Sequence, residues 1–470
     1  MAPEEFDLLV IGGGKAGKSL AMDSAAAGQR VAMVERGMIG GTCINVACIP
    51  TKTLVNSARL LAMTRRAAEF GILDIRNPAI DIGLLRDRKE TVVGTMVAGQ
   101  RKSFLASGMD LVIGEAHFTG PRTVEVTDDA GIHRTLRGTN VVLNTGMVPL
   151  VPDIPGLRAA QPLTSTTILE LAELPTSIVI MGGGYIGCEF ASMLAIMGVD
   201  VTVVQRGSAL LPREDAEVSA AVAAALEADG VSVRLGVSAE SVARSNGTVT
   251  VSLSDGSQLT AAEILVAVGR MPVTAALRLE AAGVELADRD LVRVDEFLRT
   301  TADGVWAAGD VAGTPQFTHA SWNDFRILKA NLAARQDGSA GQDGALLSTK
   351  DRLIPYCVFT TPELGRVGLS EAEARAAGHD IRMARMPVSA IPRARTVGQL
   401  DGLWQAVVER GSDQILGVSL LGHDSSEVIA VVQMAMLGKL PYQRLRDAVI
   451  AHPTMAEGLQ LLFSDAFLEA

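Results

Sequence analysis

Short apolar runs alternate with long, alanine-rich helical patterns along most of the chain. Residues 6–11 (Phe-Asp-Leu-Leu-Val-Ile) predict a buried strand, and residues 18–27 a helix ending at Gly28. Residues 30–35 predict a second strand closed by an acid, Glu35. Residues 53–70 and 81–107 have the spacing of two long helices, and residues 111–114 and 123–126 read as strands of a small sheet. Residues 141–146 predict a strand ending in Thr145-Gly146, and three prolines within residues 149–156 mark a linker. The opening pattern then recurs: a strand at 177–181, a glycine turn at 182–187, a helix through Glu189 to Met197, and a strand at 199–204. Residues 262–272 close this second segment, and residues 300–310 predict a strand ending at Gly309-Asp310. Residues 336–350, rich in Gly, Ser, Asp and Gln, read as a mobile linker. The last segment opens at residues 355–360, with strands at 404–408 and 415–421 and helices at 427–438 and 442–450. The pattern is α/β, with an internal repeat on the scale of a whole domain.

A chain of 470 residues has room for about three domains. Hydrophobic residues make up 48% of it, enough for large cores. No run of ~18 apolar residues occurs, so no transmembrane helix and no membrane partner is expected. The acidic start lacks the basic and apolar regions of a secretory signal, and a cytoplasmic location is expected. A net charge of −11 gives no electrostatic reason to expect nucleic acid. Four cysteines do not make a disulfide scaffold at this length; in a cytoplasmic protein a paired motif is catalytic or metal-binding.

The chemistry gathers around residues 40–52, Gly-Gly-Thr-Cys-Ile-Asn-Val-Ala-Cys-Ile-Pro-Thr-Lys. In a regular helix Cys43 and Cys48 would stand about 8–9 Å apart at Cα, beyond the roughly 4.4–6.8 Å of a disulfide. A bridge there needs a distorted turn at a helix entrance, where thiolate is also favoured over thiol. The pair is read as alternating between disulfide and dithiol; two unlinked, buried cysteines are the plain alternative. Upstream, Gly12, Gly14 and Gly17 form G-x-G-x-x-G between strand and helix, with Glu35 placed to hold a ribose hydroxyl pair. A tight βα turn without ligand is the alternative. The second copy has Gly182, Gly184 and Gly187, but its second strand ends in Gln205-Arg206 rather than an acid. A neutral residue followed by Arg206 suits a 2′-phosphate, so NADPH is expected with NADH possible; a solvated Arg206 is the alternative. Two dinucleotide turns in one chain imply two cofactors that exchange electrons. Asp310 can accept hydrogen bonds from a polyol chain. His452, in His-Pro-Thr, and Glu457 have the spacing of an imidazole held by a carboxylate, although a lone histidine before proline is more often structural.

These stretches, in this order and over nearly the whole chain, resemble the class I pyridine nucleotide-disulfide oxidoreductases, the family of glutathione reductase, lipoamide dehydrogenase and mercuric reductase. Residues 48–55, 211–215, 315–318, 390–395 and 452–457 are similar to a branch near mercuric reductase, the bacterial flavoproteins of reactive-chlorine resistance. The resemblance implies two Rossmann-like dinucleotide-binding domains and a C-terminal α+β dimerisation domain. The expected boundaries are 1–150 for the first part of the FAD domain, 151–270 for the NAD(P) domain, 271–345 for the rest of the FAD domain and 346–470 for dimerisation. It implies FAD held by Gly12, Gly14, Gly17, Glu35, Thr42, Lys52, Thr145, Gly146 and Asp310. A nicotinamide cofactor is implied at Gly182, Gly184, Gly187, Arg206 and Gly269. Tyr185 would cover the flavin, and Lys52 would sit at the flavin N5 and pair with Glu189. Cys48 would face the flavin, and Cys43 would meet the substrate. His452 and Glu457 would come from the other subunit of a homodimer with a shared active site. Cys188 and Cys357 match no catalytic position and read as small buried residues; no resident metal is implied. The expected acceptor is a small molecule or ion, namely hypothiocyanous acid, a related chlorine or thiol species, or cupric ion. The alternatives are a mercuric or other metal-ion reductase, a reductase of small disulfides or lipoamide, and a flavin-bearing redox sensor. Two departures stand out: Ala47 occupies a position usually glycine, and no cysteine pair lies near the C-terminus, as it does in many mercuric reductases.

Overall fold

The run Leu8-Leu9-Val10-Ile11 is apolar without alternation because it is buried on both faces. It belongs to strand β1 (Glu4–Ile11), which leads through the glycine turn into helix α1 (Lys15–Ala26) and strand β2 (Val31–Glu35). In this computed structural model, which describes residues 2–336 and 346–469, β1 lies between β2 and the strand His133–Leu143, parallel to both. The linker expected at 336–350 falls largely on residues 337–345, outside the described residues.

The chain divides into two units. One comprises Met1–Thr53, Arg86–Leu150 and Gly269–Arg352; the other comprises Leu54–Leu85, Val151–Val268 and Leu353–Ala470. In the first, Asp110–Ile113 extends the parallel sheet beyond β2. The separate small sheet expected around 111–126 does not form. His133–Leu143 takes β1 in parallel from Leu136 to Leu143 and is long enough to serve two further partners: Thr123–Thr127, antiparallel along its first half, and Val305–Ala307, parallel along its second. The strand expected at 300–310 shrinks to Val305–Ala307, because the Thr300 hydroxyl donates to the Val305 carbonyl across a turn.

The second unit repeats the plan. Ser232–Leu235, Asp200–Gln205, Ser177–Met181, Glu263–Val266 and Leu163–Thr164 form a parallel sheet in that order. An antiparallel sheet of Ala239–Ser245, Thr248–Leu253 and Gln258–Ala261 adds to it, unforeseen from the apolar pattern. The C-terminal segment is a five-stranded antiparallel sheet, in the order Tyr356–Val358, Leu364–Gly368, Ile415–Leu421, Leu403–Glu409 and Ile381–Pro387, with the helix Ser425–Leu437. The fold is therefore α/β with an α+β C-terminal part. The helix expected at 442–450 is only Gln443–Arg446. β-Branched Val449 and Ile450, and the extended bias of the residue before Pro453, turn the chain out of it.

A buried charge cluster sits inside this second unit. Arg366 Nη1 lies 2.8 Å from Glu214 Oε2, and both side chains are 4% exposed. The Tyr356 hydroxyl donates to the other oxygen of Glu214, and Arg366 Nη2 reaches Glu373 at 3.2 Å. Asp215 accepts from the Glu371 N–H and the Gln405 amide. Arg366→Met would strand a buried carboxylate and cost about 3–5 kcal/mol in denaturant unfolding. The double variant Arg366→Met/Glu214→Gln is expected to regain part of that loss.

Candidate active site

Backbone crowding builds the first glycine turn. Gly12 has φ +100°, and a Cβ there would come within 2.4 Å of the Asn144 carbonyl oxygen. A Cβ on Gly17 would lie 2.5 Å from the Gly12 carbonyl oxygen, so neither position admits a side chain. Gly14 caps α1, whose Ala16 N–H donates to the Ser321 hydroxyl at 3.2 Å and whose Lys18 N–H donates to the Gly14 carbonyl at 3.0 Å. Glu35 Oε2 accepts from the Gly13 N–H at 2.8 Å, and Oε1 accepts from Gly37 and Met38 at 3.0 and 3.2 Å. The carboxylate is pinned at the end of β2 with acceptor capacity to spare. Gly41 closes the slot: a Cβ there would stand 3.1 Å from the Gly14 Cα.

Two polar residues of this unit carried no sequence signal and prove central to its geometry. Asn144 is buried; its Oδ1 accepts from the Gly17 N–H at 2.9 Å, and its amide donates to the Ala308 carbonyl at 2.7 Å. Asp324, fully buried, accepts from the Gly309 N–H and the Thr314 hydroxyl, each at 2.7 Å. Together they fix the turn that presents Asp310. Burial pushes the Asp310 carboxyl up from its usual range, against the pull of Arg270. Thr145 and Gly146 are held to Val273, the hydroxyl donating at 2.8 Å and the Gly146 carbonyl accepting at 3.0 Å. The Gly269 carbonyl accepts from the Leu150 N–H at 3.0 Å.

The second turn repeats the first in its backbone. The Gly182 N–H reaches Val204 O at 2.9 Å, as Gly12 reaches Val34 at 2.8 Å. A Cβ on Gly187 would fall 1.9 Å from the Gly182 carbonyl oxygen. The Gly183 N–H donates to Gln205 Oε1 at 3.2 Å, so an amide stands where the first turn has a carboxylate. Arg206 beside it is exposed. Gly184 caps the helix Tyr185–Ile196, which Tyr185 opens. Glu189 is buried one turn on, and its Oε1 accepts from the Phe359 N–H at 2.9 Å.

Cys43 and Cys48 do not share a helix. Gly40, at φ +102°, starts helix α2 (Gly41–Asn45), which carries Thr42 and Cys43. The chain breaks at Val46 and Ala47 and restarts as helix α3 (Cys48–Arg65). The long helix expected from residue 53 thus begins at Cys48, and Lys52 falls one turn later on the same face. The break removes the spacing a continuous helix would impose. Both cysteines are unbridged thiols, half-buried, and joined by a hydrogen bond. Thr318, at the start of the helix Thr318–Gln336, places its hydroxyl 3.6 Å from Cys48 Sγ and bonds Cys43 as well. The bond to Cys48 and burial push the Cys43 thiol up, so the pair resists carrying two negative charges. Cys188 is fully buried, whereas Cys357 is only half-buried, 3.9 Å from the Ser426 carbonyl oxygen.

In the second unit, His452 Nδ1 lies 2.8 Å from Glu457 Oε2. The imidazole side chain is 69% exposed and the carboxylate 9%. A carboxylate on Nδ1 fixes the tautomer and leaves Nε2 free to face outward. The candidate residues therefore divide by unit. Thr42, Cys43, Cys48, Lys52, Thr145, Gly146, Gly269, Asp310 and the first glycine turn with Glu35 lie in the first. Tyr185, Glu189, Arg206, the second glycine turn, His452 and Glu457 lie in the second.

The sequence pattern of the pyridine nucleotide-disulphide oxidoreductases matches residues 6–324, and that of their dimerisation domain matches residues 354–463. The chain belongs to the pyridine nucleotide-disulphide oxidoreductases. Among its relatives is the probable pyridine nucleotide-disulfide oxidoreductase RclA of Escherichia coli (strain K12), 40% identical over 98% of this chain and 99% of that one. A mercuric reductase of Staphylococcus aureus is 32% identical over 97% of this chain and 82% of its own. The solved Cu(II) complex of the HOCl-induced flavoprotein disulfide reductase RclA from Escherichia coli superposes with a TM-score of 0.88 at 39% identity, covering 98% of this chain and 99% of that one.

Pyridine nucleotide-disulphide oxidoreductases use FAD and a pyridine nucleotide, and this one is such an enzyme. Its first unit fits an FAD. Gly41 faces the Gly13–Gly14 backbone with no Cβ between them, a cradle that a side chain would crowd, and the Glu35 carboxylate bonded to Gly13 would stand at the ribose end. No helix among the described residues is long and apolar enough to cross a membrane.

Proposed function

We propose that this chain uses NADPH to reduce small oxidised sulfur or chlorine species, hypothiocyanous acid first among them, through its Cys43–Cys48 pair. The observation that carries this reading is the pair itself: two hydrogen-bonded thiols on separate helices, both within reach of the Thr318 hydroxyl. Bound FAD would supply the two-electron relay between nicotinamide and sulfur. Gly12, Gly14, Gly17, Thr42, Glu35, Thr145, Gly146 and Asp310 would hold it, and Lys52 would act beside it. Tyr185 and Glu189 would serve the nicotinamide side. The Cys43 thiolate attacks the sulfur of hypothiocyanous acid and expels hydroxide, which takes up a proton to leave as water. The Cys48 thiolate then attacks Cys43, expelling thiocyanate and closing the disulfide. One disulfide forms and two electrons pass to the acceptor. His452, oriented by Glu457, would deliver the proton from the partner subunit of a homodimer. A pair that must be reduced again at each turnover suits the cytoplasm. The Cu(II) complex of the similar Escherichia coli structure makes cupric ion the second reading. The deciding experiment is NADPH consumption with hypothiocyanous acid, Cu(II), Hg(II), glutathione disulfide and lipoamide. The fastest turnover is expected with hypothiocyanous acid, and inertness toward it would end this reading.

The choice of NADPH rests on Gln205, which leaves no anion to repel a 2′-phosphate, and on the exposed Arg206 next to it. Arg206→Ala should raise KM for NADPH roughly tenfold, the scale of one charge-assisted contact, and barely change KM for NADH. Equal loss with both cofactors would remove Arg206 from this role.

A further inference from the structure

α1 turns an apolar face into the first unit, with Ala16, Leu20 and Ala21 buried. On that face stands a lysine. Lys18 is 4% exposed, and its ammonium donates to the Gly40 carbonyl at 3.0 Å. An amine among apolar neighbours is costly unless something compensates it. Burial first and the Lys15 charge second lower its pKa, to about 8; the one influence in the other direction is Cys43. The effect is mutual, since Lys18 eases ionisation of the Cys43 thiol. Gly40 is the left-handed residue from which α2 starts, three positions before Cys43. One side chain therefore touches both the turn that delivers Cys43 and the field at its sulfur.

We propose that Lys18 is a positioning residue for the Cys43–Cys48 pair: bonded to the Gly40 carbonyl, its buried ammonium fixes the turn and serves as counter-charge to the Cys43 thiolate, favouring the dithiol over the disulfide. This rests on the redox reading of the pair. Stabilising a thiolate stabilises the reduced form and so raises the reduction potential of the pair.

The test equilibrates FAD-loaded wild type, Lys18→Arg, Lys18→Gln and Lys18→Met with thiol–disulfide buffers at pH 7, without oxygen. Free thiols are trapped and Cys43 occupancy is read by peptide mass spectrometry, with bound FAD followed by its visible absorbance. Lys18→Met is expected to need a buffer at least tenfold more reducing to reach half reduction, about 30 mV for two electrons. Lys18→Gln keeps a donor for Gly40 but not the charge, and is expected to shift in the same direction. Lys18→Arg should stay within threefold of wild type. Should Lys18→Met fail to fold, Lys18→Gln decides alone. Midpoints of Gln and Met variants that match wild type overturn the proposal, as does loss of FAD without a change in midpoint, which would give Lys18 to the cofactor phosphates. A wild-type pair that never exchanges with the buffers removes the redox reading, and this inference with it.

Discussion

Cys43→Ser and Cys48→Ser will each abolish reduction of the acceptor by NADPH, with losses of roughly 10³-fold or more, while both proteins still bind FAD. The size follows from chemistry. A serine hydroxyl is not ionised near neutral pH and forms no disulfide, and two groups acting as one unit lose nearly everything when either goes. The partner sulfur, freed from its shared hydrogen bond, cannot complete the second half-reaction alone. Anaerobic stopped-flow measurements separate the steps. Bleaching of the flavin absorbance by NADPH should survive in both variants, and reoxidation by hypothiocyanous acid should not. Full acceptor turnover in both serine variants would remove the sulfur pair from the reaction.

A second large effect is expected from His452, and it can be made to report on the subunit as well as the residue. His452→Ala should lose about 10²–10⁴-fold in acceptor turnover, the usual contribution of a positioned acid or base. Coexpression of a Cys48→Ser chain with a His452→Ala chain is the sharper measurement. In the mixed dimer, one site receives both defects and the other receives none. Random pairing then restores about a quarter of wild-type activity from two nearly inactive parents. If cysteines and histidine worked within a single chain, every site would carry one defect and the mixture would stay inactive. The exposed imidazole, fixed through Nδ1 alone, makes the first outcome the expected one. Glu457→Gln in a wild-type background should weaken His452 without abolishing it.

Much of this was legible because the chemistry is local. The glycine turns, Glu35 and Gln205 announce themselves through residues whose sizes admit little else, and the bonds from Gly13 and Gly183 to the ends of the second strands follow from spacing. Periodicity also found most of the parallel strands. It failed where one edge of a strand has two partners: nothing within residues 133–143 says that its halves pair antiparallel and parallel with different strands. Nor could composition find Asn144, Asp324 or Thr318. Each is an ordinary polar residue whose importance comes from segments more than a hundred positions away, or from a turn that exists only once the sheet has formed. The break between α2 and α3 was foreseen only as a need for distortion. Where the helix would part, at Val46 and Ala47, was not written in any single side chain.

Glu214 and Asp215, nine and ten residues past Gln205, are bonded to Arg366, Glu371 and Gln405 of the C-terminal segment. The sheet behind the second glycine turn and the stretch bearing His452 are thus riveted into a single casting rather than strung as beads. A chimera that borrowed its nucleotide-binding part from a cousin would have to bring those rivets along, or leave Arg366 without its counterpart in the dark.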